Sequence, residues 1–132
     1  MAEVYWDLDE WTLHQPGFDY CYDKRLYDRL RDGHVGRIRD HLVAGLDYQD
    51  KLVRFLENHD EPRAASEFLW PQHQAAAVIT FLSAGLRFFY QGQFEGARVR
   101  IPTSSIGRSN DATTLADKYL TDATELGAKR LI

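Results

Sequence analysis

Apolar residues along this chain come alternately as short runs and as one-sided stripes. Residues 2–6, Ala-Glu-Val-Tyr-Trp, are aromatic and β-branched and meet an acidic stretch at once, so they predict the end of a strand opening into a loop. Pro16-Gly17 marks a turn, and residues 18–22 after it predict a second short strand. Leu26, Tyr27 and Leu30 then stand at helical spacing within residues 24–31. Across residues 34–46, Val35, Ile38, Leu42, Val43 and Leu46 recur every three or four positions. They predict a one-sided helix with Arg37, Arg39 and Asp40 on its wet side and Gly45 helping to end it. Residues 53–57 predict a third strand, cut off by the polar run 58–63 with Pro62 inside it. Pro71 opens a helix through Gln74, Ala77, Val78, Phe81 and Leu82, and Gly85 sits where a stop is expected. Residues 86–90 predict a fourth strand; Gln91-Gly92-Gln93, a loop over 96–111 and a final helix over 114–126 follow.

Strands alternating with helices, and no hairpin signal between them, specify an α/β fold: a parallel sheet with helices packed outside it. No repeat or linker divides residues 1–132, so one domain is expected. With 44% hydrophobic residues the chain can fill an ordinary core, which argues against disorder. A net charge of −4 and no dense basic run exclude the footprint of a nucleic-acid partner. Cys21 is the single cysteine, so neither an intrachain disulfide nor a cysteine-rich zinc framework fits; mid-strand, it reads as packing. The first residues carry acids and no basic n-region, and the longest apolar stretch, 75–86, falls short of the roughly 20 residues that span a bilayer. A soluble, cytoplasmic chain with no membrane partner is therefore expected.

Candidate chemistry gathers at three expected strand ends, where parallel α/β folds place their functional groups. They are Glu3 with Tyr5 and Trp6, then Glu57-Asn58-His59-Asp60, then Gln91-Gly92-Gln93 with Glu95. Two carboxyl groups on neighbouring strand ends suit glycoside chemistry, one protonating the leaving oxygen and the other opposing positive charge on the sugar ring. Aromatic neighbours offer flat faces for sugar rings. Each feature also has a plain reading: a Glu near a chain start is ordinarily a solvated acid, and Asn-His-Asp is ordinarily a loop or cap cluster. His59 and Asp60 could suggest metal ligation, but His14, His34, His41 and His73 show no ligand spacing, so neither metal nor other cofactor is expected.

Taken together, these residues resemble the alpha-amylase family of retaining glycosidases and transglycosidases. AEVYW resembles the family's fifth-strand motif, whose Glu is the general acid/base; the resemblance assigns that role to Glu3. RFLENHDEPRA resembles the seventh-strand motif, making Asp60 the transition-state stabiliser and His59 a contact to sugar hydroxyls. GLRFFYQGQFEG resembles the eighth-strand segment, with Arg87 where Pro is common and Gln93 where Glu is common. The resemblance covers residues 2–105. It implies strands five to eight of a TIM-type (β/α)8 barrel, a parallel half-barrel with outer helices, binding an alpha-glucan or oligosaccharide through His59, Asn58, Tyr5, Trp6 and Gln91.

The family's nucleophile is an Asp in a Gly-x-Arg-x-Asp segment on the fourth strand, and none occurs in these 132 residues. A full barrel takes roughly 250 residues. The expectation is thus part of a hydrolase or transglycosidase acting on alpha-linked glucosides, inactive alone and suited to homodimerisation or to pairing with a complementing half-barrel. The alternative is a noncatalytic remnant or saccharide-binding module. A stand-alone enzyme of another class has no Gly-rich phosphate loop or Ser nucleophile elbow to support it.

Overall fold

The computed structural model describes residues 1–3 and 17–100. The expected strand positions 4–6, including Tyr5 and Trp6, and the expected helix over 114–126 lie outside the described residues. In chain order the elements are β1 (Cys21–Tyr22), α1 (Lys24–Arg31), α2 (Val35–Leu42), α3 (Leu46–Gln49), β2 (Leu52–Arg54), α4 (Ala64–Glu67), α5 (Trp70–Leu82) and β3 (Leu86–Arg87). They fall into two compact units. One holds the described residues of Met1–Leu56 together with Phe68–Phe89; the other holds Glu57–Glu67 and the described residues from Tyr90 onward.

The first unit is α/β. Its sheet runs β1-β2-β3, all parallel, with Cys21 opposite Leu52, Val53 opposite Leu86 and Arg54 opposite Arg87. Ala2 adds a parallel bridge to Cys21 on the outer side of β1. The strands are shorter than the apolar runs predict. Phe18 and Tyr20 are exposed ahead of β1, and Asp23 ends it by turning to cap α1. The centre is aromatic: Tyr27 stacks on Phe55 at 5.4 Å between ring centroids, and Tyr22 meets Phe55 and Phe88 edge-on at 5.3 and 5.6 Å.

Helix α1 follows its sequence pattern. The Asp23 carboxylate accepts the Leu26 N–H at 3.1 Å, Leu26, Tyr27 and Leu30 are buried, and Arg29 and Arg31 complement the helix dipole in the last turn. Helix α5 begins with Pro71 in its first turn, as expected, and Gln72 Nε2 donates to the carbonyls of Leu30 and Arg31 at 2.8 and 2.9 Å. Those carbonyls belong to the end of α1, where acceptors lack helical partners, so one side chain ties the two helices together.

The expected helix over 34–46 is corrected. It ends at Leu42, and a separate short helix starts after Gly45. Ile38 and His41 face inward, whereas Val35, Val43 and Leu46 are exposed, Val43 to 80%. The reason is polar. Arg54, wholly buried at the end of β2, donates from Nη1 to Asp23 Oδ2, from Nη2 to Gln49 Oε1 and from Nε to the Ala84 carbonyl at 2.8 Å. His41 Nε2 lies 2.9 Å from the same Asp23 oxygen, and Gln49 donates to the His41 carbonyl. A buried guanidinium needs these partners, so His41 and Gln49 take inward places that the apolar stripe alone would give to valine and leucine.

Gly85 closes this arrangement. Its φ of +118° suits glycine, and a Cβ there would stand 2.5 Å from the Leu52 carbonyl oxygen and 3.0 Å from that of Gln49. The predicted helix stop is therefore also the point where the chain passes tightly against the sheet.

His73 in α5 lies against Phe68, ring planes 19° apart, and meets Trp70 edge-on. Burial pushes its pKa below the usual histidine value. The fold thus favours the neutral ring, a contribution present above about pH 6.5 and lost as pH falls through the lowered folded value. The urea midpoint of the protein is expected to drop more between pH 7 and pH 5 than that of His73→Phe. Equal drops in the two proteins would count against this assignment.

Candidate functional site

Because the sheet is parallel, the residues after each strand share one edge of the first unit: Glu3 after Ala2, Asp23 after β1, Phe55 after β2 and Phe88 after β3. Asp23 is consumed by Arg54, His41 and the cap of α1. Glu3 is exposed.

Glu57 opens the second unit after the buried pair Phe55-Leu56, and the Asn-His-Asp run follows it in the chain. Asn58 is wholly buried, and its Oδ1 accepts the N–H groups of Asp60 at 2.9 Å and Glu61 at 2.8 Å. This side chain substitutes for a backbone acceptor and folds the segment into a tight turn. Asn58 therefore shapes the site from below. The turn's outer face carries His59, half-buried, and Asp60, exposed, with His59 Nε2 3.4 Å from Asp60 Oδ2.

Arg100 joins this pair from 41 residues away. Its Nε donates to the His59 carbonyl at 3.2 Å, and Nη2 lies 4.0 Å from Asp60 Oδ1. Beneath the turn, Glu57 is buried with both oxygens used: Oε1 accepts Arg63 Nη1 at 2.7 Å and Oε2 accepts the Ala64 N–H at 2.6 Å. Burial raises the Glu57 carboxyl above its ordinary pKa, while the bonds from Ala64 and Arg63 pull the other way. Arg63 also donates to the Val99 carbonyl at 3.3 Å and lies 4.8 Å over the Tyr90 ring.

Gln91, exposed, begins a run of turns through Gly96 in the same unit, with positive φ at Gly92 and Gly96. Gln93 shapes that run by accepting the Tyr90 N–H at 3.2 Å. Tyr5 and Trp6 lie outside the described residues. Sequence reasoning names Asn58, His59 and Asp60, which the structure gathers in one turn. It misses Arg63 and Arg100, whose partners cannot be read from local spacing; the only signal for Arg63 is its place in RFLENHDEPRA.

Chemically, the turn presents an imidazole and a carboxylate to solvent, a guanidinium beside them, and backbone amides fixed underneath. Such a surface can hydrogen-bond hydroxyl groups and oppose a developing positive charge. Comparison with models of protein families, with curated proteins and with solved structures finds no match to this chain. Among the described residues no helix is long and apolar enough to cross a membrane.

Proposed function

We propose that this chain supplies the general acid/base, Glu3, and the charge-opposing carboxylate, Asp60, of a retaining glycosidase or transglycosidase acting on alpha-linked glucosides. The observation that carries the reading is the turn at Asn58: it leaves His59 half-buried and Asp60 exposed in the segment that follows β2 along the chain. That is the place for groups that contact a sugar ring, and the motif RFLENHDEPRA gives them their assigned roles.

Strand order supports the half-barrel part of the proposal. The sequence Ala2, β1, β2, β3 proceeds across the sheet without reversing. A doubly wound nucleotide-binding sheet reverses order at its ligand crevice, whereas a (β/α)8 barrel keeps neighbours consecutive. Within this reading, the Glu3 strand, β1, β2 and β3 are strands five to eight, and the outer edge of β3 is where a complementing half-barrel or a second copy pairs. Cytoplasmic residence belongs to the same proposal.

Covalent retaining chemistry needs a nucleophile roughly 5 Å from the acid, and the proposal draws it from outside these 132 residues. The test is direct. The purified chain alone is expected not to hydrolyse maltotriose, yet to show maltotriose-dependent NMR shifts at His59 and Asp60. Turnover abolished by Glu3→Gln would overturn the need for an outside nucleophile. Shifts without turnover under any complementation would favour a saccharide-binding module, and absent shifts would remove the saccharide reading.

A further inference from the structure

We infer that Glu57 and Arg63 are positioning residues for the His59–Asp60 pair, a buried ionic clamp that fixes the turn from which those side chains project. The functional sense of the clamp rests on the reading above; its geometry does not.

Glu57 and Ala64 bracket the turn, and the Glu57 carboxylate joins its two ends by accepting from Arg63 and from the Ala64 N–H. Asn58 fixes the middle through the amides of Asp60 and Glu61. Arg63 extends the clamp sideways to the Val99 carbonyl and the Tyr90 ring, and the residue after Val99 is the Arg100 that holds the His59 carbonyl. Both ends, the middle and the flank of the turn are thus held by named bonds, and Glu57 and Arg63 take part in two of the three.

Stability alone does not call for this arrangement. A buried ion pair loses so much hydration that apolar residues of similar volume are often as stabilising or more so, and the raised pKa of Glu57 reflects that cost. What apolar replacements cannot do is bond the Ala64 N–H and the Val99 carbonyl at fixed angles. The clamp therefore contributes geometry to a turn whose outer face carries the candidate chemistry. Neither residue reaches that outer face, so both act through Asn58, His59 and Asp60.

The deciding experiment compares the full chain with the double variant Glu57→Leu/Arg63→Met by thermal unfolding, amide hydrogen exchange and maltotriose titration followed by NMR. The double variant avoids an orphaned buried charge, so its Tm is expected to fall only by the several degrees that losing the acceptor of the Ala64 N–H costs. Exchange at the Asp60 and Glu61 amides is expected to accelerate at least about tenfold while α1 amides keep their protection. Maltotriose shifts at His59 and Asp60 are expected to weaken in parallel. Unchanged protection at Asp60 and Glu61, or acceleration that merely follows a global loss of stability, would overturn the clamp. Missing maltotriose shifts in the parent chain would instead overturn the saccharide reading and leave the exchange result to judge the clamp. If Glu57→Leu/Arg63→Met does not fold, Arg63→Lys serves: it keeps the charge and loses the fork, so the same amides are expected to accelerate by a smaller factor, and full protection there sinks the inference.

Discussion

Asn in place of Asp60 is expected to lower turnover by a factor of about 100 or more when this chain is assembled with a segment bearing the Gly-x-Arg-x-Asp nucleophile. The substitution is nearly isosteric, and the Asn58 bonds that shape the turn go to backbone amides, so the fold is left intact. Under the proposed function, what disappears is the negative charge beside the sugar ring as oxocarbenium character develops, and that charge matters most in the transition state. Glu3→Gln is expected to cost a similar factor for another reason, loss of the proton delivered to the leaving oxygen. The two separate by substrate. With an activated aryl leaving group, which needs little protonation, Glu3→Gln is expected to recover much of its glycosylation rate, while Asp60→Asn stays slow. Initial rates on maltotriose and on an aryl alpha-glucoside, with circular dichroism as a control for folding, check this. Near-normal turnover of both variants would sink the mapping of Glu3 and Asp60 onto the family motifs.

The parts of the fold legible in the sequence are those in which local and tertiary demands agree. Leu26, Tyr27 and Leu30 mark α1 by their spacing, and the structure adds Asp23 as its cap; Pro71 marks the start of α5. The alternation of apolar runs and stripes gives the parallel α/β sheet. The register of α2 was not legible, because Arg54 looks like a solvent-facing residue until the fold surrounds it with Asp23, His41, Gln49 and the Ala84 carbonyl. Hydrophobic periodicity counts Val43 as inward and gives His41 no inward place; around the buried guanidinium, Val43 is exposed and His41 is buried. The candidate site divides in the same way. Asn58, His59 and Asp60 are consecutive and stand out as polar residues after a strand, whereas Arg100 reaches them only through chain folding.

The same cluster yields the largest expected stability effect. Arg54→Ala is expected to destabilise the protein by roughly 3–5 kcal/mol, the scale for removing one partner of a buried ion pair. Arg54 is wholly buried, and its loss strips donors from Asp23 Oδ2, Gln49 Oε1 and the Ala84 carbonyl together. Asp23 suffers most, since a buried carboxylate committed to capping α1 then loses its guanidinium partner. Lysine cannot substitute, because one ammonium on a flexible stem does not reproduce a planar fork facing three acceptors. Arg54→Lys is therefore expected to recover only part of the loss. The double variant Asp23→Asn/Arg54→Met removes the orphaned charge with its partner, so it is expected to be more stable than the sum of the single changes implies, by about 1–3 kcal/mol of coupling. Urea unfolding of the parent, Asp23→Asn, Arg54→Met and the double variant closes the cycle. A loss below about 1 kcal/mol for Arg54→Ala, or strict additivity in the cycle, would mean that water or a shifted His41 relieves Asp23, and that the polar cluster does not dictate how α2 and α3 pack on the sheet.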